Sequence, residues 1–326
     1  LMTQSWLSVH FPCQEEVSAM TNDSIRKNAE EFIIYKRSLG YTYDGFDSML
    51  DRYIRYVEKA VNGICYPEKN VTDEYLKSIS HSGATMYQTV CVLREFSRYL
   101  QLHGNKEVYV IPPKTASFPV PEAPYFFTEK EIEAFFKSLD DIQPNKSFKG
   151  REYVFPALFR LLHCCGLRCK EARILEYKNV NTSEFYIDII QSKGYKSRRI
   201  FIGSELAEYL DKYNARIDCL FPRRKYYFPH GNSYYGTAAI SENFKRYWKK
   251  AFPDFVITTR PRAYDFRHHF AWANLNRWAA DGLDLNVMLP YLMRYMGHQN
   301  VSETLYYFHF VPEFFPTYKG LSKPFE

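Results

Sequence analysis

Several features common in other protein classes are missing from this chain of 326 residues. Its seven cysteines contain no Cys-x-x-Cys and no paired spacing of the kind that holds a metal. That excludes the zinc-ribbon and thioredoxin-like classes, and no metal or cofactor is expected. The odd count, with adjacent Cys164-Cys165 and nearby Cys169, does not suit a disulfide framework, so buried free thiols in a reducing cytoplasm are expected. No apolar run approaches the roughly 18 residues of a membrane span. The first residues lack the charged-then-apolar order of a signal peptide. A soluble, cytoplasmic protein without a membrane partner is the expectation. No internal repeat and no low-complexity tract occurs, which excludes solenoids and fibrous arrays.

What is present describes a globular chain. Hydrophobic residues make up 46% and charged residues 25%, and the length suits two domains of ordinary size. Aromatic residues reach 18%, with 28 tyrosines, so a lone tyrosine carries no weight and only its position can. The formal net charge of +6 is unevenly spread: residues 1–108 hold 12 Lys+Arg against 14 Asp+Glu, a net −2 that leaves +8 for the rest. A mildly basic C-terminal two-thirds is compatible with a polyanionic partner without demanding one.

Along the chain, residues 1–21 show no periodicity and form a lead-in segment. Ile25, Ala29, Phe32 and Ile33 recur at helical spacing after the cap candidates Asn22-Asp23-Ser24, with Gly40 as a stop. A second helix is expected over Gly45 to Ala60, a short one after Thr72-Asp73-Glu74, and a fourth from Thr85 to Leu102. These define a helical domain over 22–108. Pro112, Pro113, Pro119, Pro121 and Pro124 mark a semi-rigid linker over 109–126. Thr128-Glu129-Lys130-Glu131 then has capping-box spacing and opens a second domain, 127–326. There, strands are expected at Phe185–Ile190 and Arg198–Ile202, joined by a hairpin-like turn over 192–197. Helices are expected near 204–214, 241–250, 266–279 and 287–296. The fold class is mainly α with a small β-sheet, an α+β protein.

Six polar residues in this second domain stand in a suggestive order: Arg168, Lys193, Tyr264, Arg267, His298 and Tyr307. Arg168 lies in Gly166-Leu167-Arg168-Cys169-Lys170-Glu171, which by itself also fits an ordinary surface arginine at a helix start. Lys193 lies in Ser192-Lys193-Gly194-Tyr195-Lys196, a basic turn in which Lys196 competes for any role. Arg267 lies in Tyr264-Asp265-Phe266-Arg267-His268-His269. His298 precedes Tyr307 by nine positions, and Tyr306 is the rival neighbour. Guanidinium groups suit phosphate because they stay charged and can bond two oxygens at once.

The ordered set resembles the catalytic boxes of the tyrosine recombinases, the phage-integrase family, and the likeness runs over nearly the whole chain from about residue 22. It implies a helical core-binding (SAM-like) domain and a catalytic domain closing as a C-shaped clamp on double-stranded DNA. By the match, Tyr307 is the nucleophile, Arg168 and Arg267 clamp the scissile phosphate, and His298 donates a hydrogen bond to it. Lys193 protonates the leaving 5′ oxygen, and Glu171 orients neighbouring groups. Tyr264 stands where the commonest pattern has histidine; a phenol is a poorer base at neutral pH, which favours an orienting role. His268 is expected to pack and hydrogen-bond. The resemblance further implies a 3′-phosphotyrosine intermediate without metal or ATP. It implies a homo-tetramer on two DNA core sites, passage through a Holliday junction, and nucleoid association when DNA is bound. The apolar tail 308–326 docks in the family on a neighbouring protomer, or folds back on its own domain. No arm-type domain is expected before residue 22, which argues against the larger phage integrases that carry one, and the departures from the commonest boxes favour a mobile-element recombinase over a housekeeping resolvase. Xer-like dimer resolution, a type IB topoisomerase and an inactive DNA-binding relative are the alternatives. The target sequence and any accessory directionality factor are left open.

Overall fold

The computed structural model describes residues 24–43, 45–61, 65–118, 122–190, 197–254, 260–298 and 300–305. The chain divides into two units, Leu1–Glu122 and Ala123–Glu326.

In the first unit, helix α1 (Ile25–Ser38) starts at Ser24, whose hydroxyl accepts from the Lys27 amide at 3.3 Å. Gly45, at φ 84°, leads into α2 (Phe46–Ala60). Helix α3 covers Lys69–Ser78 and α4 covers Gly83–Leu102. Phe32, Tyr53, Ile54, Val57, Leu93 and Phe96 from α1, α2 and α4 form the core. Helix α3 begins before the expected Thr72-Asp73-Glu74 start. The reason is that Thr72 is no cap: it is fully buried, and its hydroxyl pairs with the Tyr53 hydroxyl at 2.7 Å. A polar residue inside an apolar core must find such a partner.

In the second unit, α5 (Glu129–Asp140) opens on the anticipated capping box: the Thr128 hydroxyl accepts from the Glu131 amide, and the Glu131 carboxylate accepts from the Thr128 amide at 2.8 Å. Helix α6 (Arg151–Cys165) buries Val154, Phe155, Leu158, Phe159, Leu161 and Leu162 around most of its circumference. A helix apolar on nearly all sides sits in the middle of a core, and α5, α8 (Ser204–Leu220) and α10 (Asp265–Ala280) pack around it. Helix α7 is the single turn Cys169–Arg173.

Strands β1 (Val180–Asn181), β2 (Tyr186–Ile189) and β3 (Arg198–Phe201) form an antiparallel sheet in that order. Ile187 pairs with Ile200 on the buried face, and Ile189 pairs with Arg198. On the opposite face Arg199 meets Asp188 at 2.8 and 2.9 Å. A second ribbon, β4 (Pro229–His230) with β5 (Ser233–Tyr234), and strand β1 are two-residue elements that periodicity does not reveal. Helix α8 runs beyond the expected stop near 214 because Tyr213 and Ile217 continue its buried stripe. Helix α9 (Thr237–Ala251) starts earlier than expected, with Ile240 in its first buried turn. Helices α11 (Leu285–Met296) and α12 (Val301–Leu305) complete the described unit. The protein is α+β: mainly helical with small antiparallel sheets.

Six cysteines lie among the described residues and none of them is in a disulfide, but only Cys165 is buried; Cys164 and Cys219 are exposed. This corrects the expectation of buried thiols. Cys164 falls on the outer side of α6, whereas Cys165 turns into the core. Among the described residues no helix is long and apolar enough to cross a membrane.

Candidate active site

The C-terminus of α11 organises the site. Gly297 takes a left-handed conformation at φ 67°, the Gly297 amide donates to the Arg294 carbonyl at 3.2 Å, and the His298 amide reaches back to the Met293 carbonyl at 3.0 Å. This pattern ends a helix cleanly but leaves the last carbonyls without intrahelical partners. Three arginines from distant parts of the chain satisfy them. Arg198 Nε donates to the Tyr295 carbonyl at 2.8 Å, Arg267 Nη2 to the Met296 carbonyl at 2.7 Å, and Arg168 Nη2 to the Gly297 carbonyl at 2.9 Å. The negative end of the helix dipole lies at these oxygens, which favours cations there.

Each arginine is also held from its own side. Arg168 follows the end of α6, where Gly166 sits at φ 57° and a Cβ would come within 2.5 Å of the Phe270 ring. That position therefore excludes larger residues on both backbone and steric grounds. The Gly166 carbonyl accepts from Arg267 Nη1 at 2.7 Å. Arg267 is only 2% exposed. Arg168 precedes α7, and Glu171 closes on it: its carboxylate accepts from the Arg168 amide at 3.0 Å and from Arg168 Nη1 at 2.8 Å. The same carboxylate accepts from Arg198 Nη1 and Nη2 at 3.0 and 2.8 Å. Glu171 is buried between two guanidinium groups. The side chain of Arg168 is 16% exposed, so it is not the ordinary surface arginine that its local sequence also allowed.

His298 follows directly on this helix end. Its Nδ1 lies 2.6 Å from the hydroxyl of buried Thr304 on α12. Burial, and then the charges of Arg267, Arg168 and Arg198, lower its pKa to about 3, so the imidazole is neutral at neutral pH. With the Thr304 hydroxyl donating to Nδ1, the ring proton sits on Nε2. Tyr264 immediately precedes α10, is 43% exposed, and meets the His268 ring edge-on at 5.1 Å. Its place is one turn before Arg267. Burial lowers His268 to about 4.

Arg168, Glu171, Arg267 and His298 are thus brought together around one helix end, with His268 on the helix that carries Arg267 and Tyr264 at its N-terminal cap. Lys193, its competitor Lys196, Tyr306 and Tyr307 lie outside the described residues. Sequence reasoning assigned no role to Arg198 or Thr304. For Arg198 a signal existed: it is in phase with inward-facing Ile200 on β3, whereas Arg199 faces out. An arginine on the buried phase of a strand requires a buried partner.

The neutral histidines carry a stability prediction. His298 has an ordinary value of 6.5 and is held near 3, and burial holds His163, His268 and His269 near 4. Below pH 6.5 the unfolded chain binds protons that the folded one excludes. Stability is therefore full above that value and is lost as pH falls through the window towards 4 and then 3. The urea midpoint is expected to drop between about pH 7.5 and about pH 5, above the range in which carboxylates titrate. A midpoint unchanged across that interval contradicts the buried neutral histidines.

Residues 125–313 match the family model described as "Phage integrase family". A protein of Sinorhizobium fredii, y4rE, bearing the name integrase/recombinase, is 26% identical over 289 residues, 86% of this chain and 90% of that one. A tyrosine recombinase of Pseudothermotoga lettingae is 26% identical over 255 residues, covering 74% of this chain and 77% of the relative. Among solved structures, a lambda integrase dimer bound to a COC′ core site shares the fold with a TM-score of 0.63 at 11% identity, over 91% of this chain and 81% of that chain. The family match extends over more than half of the chain and takes in the whole arginine cluster, and with it the chain belongs to the phage integrase family of tyrosine recombinases.

Proposed function

We propose that this chain is a site-specific DNA recombinase that cuts and rejoins DNA through a 3′-phosphotyrosine. The observation that carries the reading is the convergence of Arg168, Arg267 and Arg198 with neutral His298 at the end of α11. Three guanidinium charges against the one carboxylate of Glu171 leave the cluster positive. A scissile phosphodiester carries one negative charge and gains more on its oxygens in the transition state, which is where such prepositioned donors act.

Arg168 is the partly open clamp. Arg267, nearly sealed, acts as a second clamp once DNA uncovers an edge of its guanidinium, and its charge reaches the phosphate in either case. His298 donates to a non-bridging oxygen. Tyr307 gives up its phenolic proton to solvent as it attacks phosphorus, the bond to the 5′ oxygen breaks, and Lys193 gives that oxygen its proton. A 5′-hydroxyl from the partner strand then attacks the ester and releases the tyrosine. Tyr264 and His268 orient the α10 end of the site. The ester retains the bond energy, so neither ATP nor metal is needed. The helical unit is proposed as the core-DNA-binding domain, and DNA as the partner, as in the core-site complex of the lambda integrase dimer. Assembly as a tetramer on two sites, a Holliday-junction intermediate and a mobile-element role in the cytoplasm complete the proposal.

The test is a covalent trap. Wild-type protein, incubated without metal on nicked duplexes carrying the element's end sequences, is expected to give a protein–DNA adduct on denaturing gels. Binding of the same duplex should weaken steeply with salt, because phosphate contacts release counterions. Bound DNA without adduct would favour an inactive DNA-binding relative. Adduct followed only by resealing of the same strand would favour topoisomerase chemistry.

A further inference from the structure

Of the three arginines on the end of α11, Arg198 adds its charge to the cluster but is given no contact with the phosphate in the reaction described above. It lies on β3, its side chain only 10% exposed, where strand alternation would otherwise place an apolar residue beside Ile189 and Ile200. Burying a cation there is costly unless it is fully paired. It is paired twice, through two guanidinium nitrogens to Glu171 and through Nε to the Tyr295 carbonyl. Glu171 in turn holds Arg168 through both amide and side chain. The neighbouring Gly297 leaves room for this arrangement: a Cβ there would stand 2.9 Å from Arg198 Nη1.

We propose that Arg198 is a positioning residue that acts on the phosphate site through Glu171. A carboxylate held by one arginine alone could swing with it or neutralise it. Held from the other side by a fork fixed to strand β3 and to α11, it becomes a rigid stop against which Arg168 is aimed. Arg198 also balances Glu171, so that the charge of Arg168 is left for a ligand. Lysine could not do the same, since one ammonium cannot present a planar fork to the carboxylate and a third donor to the carbonyl.

The inference rests on the recombinase reading, and the experiment separates the two. Single-turnover adduct formation on the nicked duplex, at saturating DNA, would be measured for wild type, Arg198→Gln, Arg198→Lys, Glu171→Gln and the double variant Arg198→Gln/Glu171→Gln, alongside DNA affinity and thermal unfolding. Arg198→Gln is expected to slow cleavage roughly 10- to 100-fold with affinity changed less than about threefold, and in the Glu171→Gln background to have little further effect. Arg198→Lys is expected to recover only part of the rate; should Arg198→Gln fail to fold, this variant carries the test. Additive losses in the double variant would overturn action through Glu171, as would a wild-type rate in either Arg198 variant. A wild type that binds DNA but forms no adduct would sink the recombinase reading, and the positioning role with it.

Discussion

Tyr307→Phe is expected to bind the same DNA as wild type and to form no covalent adduct. The substitution removes one oxygen, and with it the proposed nucleophile; in enzymes that act through a covalent intermediate such a change lowers the rate by as much as about 10⁶-fold. No other substitution considered has so large an expected effect. Adjacent Tyr306 is the control. Consecutive residues face about 100° apart on a helix and to opposite sides of a strand, so only one of the pair can reach a phosphate held by Arg168. Tyr306→Phe should therefore cleave at close to the wild-type rate. Loss confined to Tyr306→Phe would move the nucleophile by one position and keep the reaction class. Adduct from both variants would remove tyrosine chemistry at this position altogether.

Arg267→Leu is the second large effect, and it falls on both stability and catalysis. Two opposing terms decide the stability change. Removing a guanidinium that is 2% exposed relieves its desolvation, which is why apolar replacement of buried charges is often tolerated. Here, however, the Gly166 and Met296 carbonyls each lose a donor at 2.7 Å at the ends of two helices, where the intrahelical ladder cannot supply another. At about 1–3 kcal/mol for each unsatisfied buried group, the net loss is expected to be about 2–4 kcal/mol, seen as a lower urea midpoint. Cleavage should fall by at least about 10²–10³, the usual effect of deleting one transition-state donor. Arg267→Lys separates the two: it keeps the charge but cannot reach both carbonyls, so it should recover more stability than activity. A leucine variant as stable as wild type would mean that desolvation outweighs the two hydrogen bonds. Cleavage near the wild-type rate would remove Arg267 from the phosphate site.

The elements most legible in the sequence are those specified by local chemistry. The Thr128–Glu131 capping box, the Ser24 cap and the strands β2 and β3 depend on residues within one or two turns of each other. The misplaced boundaries have tertiary causes. Thr72 looks like a helix start until the Tyr53 hydroxyl is seen to need it, and α8 continues past 214 because Ile217 meets the core around α6. The two-residue strands β1, β4 and β5 are too short to carry a periodic signal. Arg198 was missed because its neighbour Arg199 makes the pair look like a solvated basic start to the strand, although its phase with inward-facing Ile200 sets it on the buried face.

Sequence alone determined the helical character of both units, the small antiparallel sheet, and the ordered set of arginines, histidine and tyrosine with its family resemblance. All of these follow from short-range spacing or from the order of motifs along the chain. The tertiary structure decided what those residues touch. That Arg168, Arg198 and Arg267 lie on three successive carbonyls of one helix end depends on contacts between residues up to 129 positions apart in the chain. So does the sharing of Glu171 between two arginines, and so does the neutral state of His298, which follows from burial and from the charges packed around it. Hydrogen bonding and desolvation at such a site depend on distances across the fold, which no local spacing encodes.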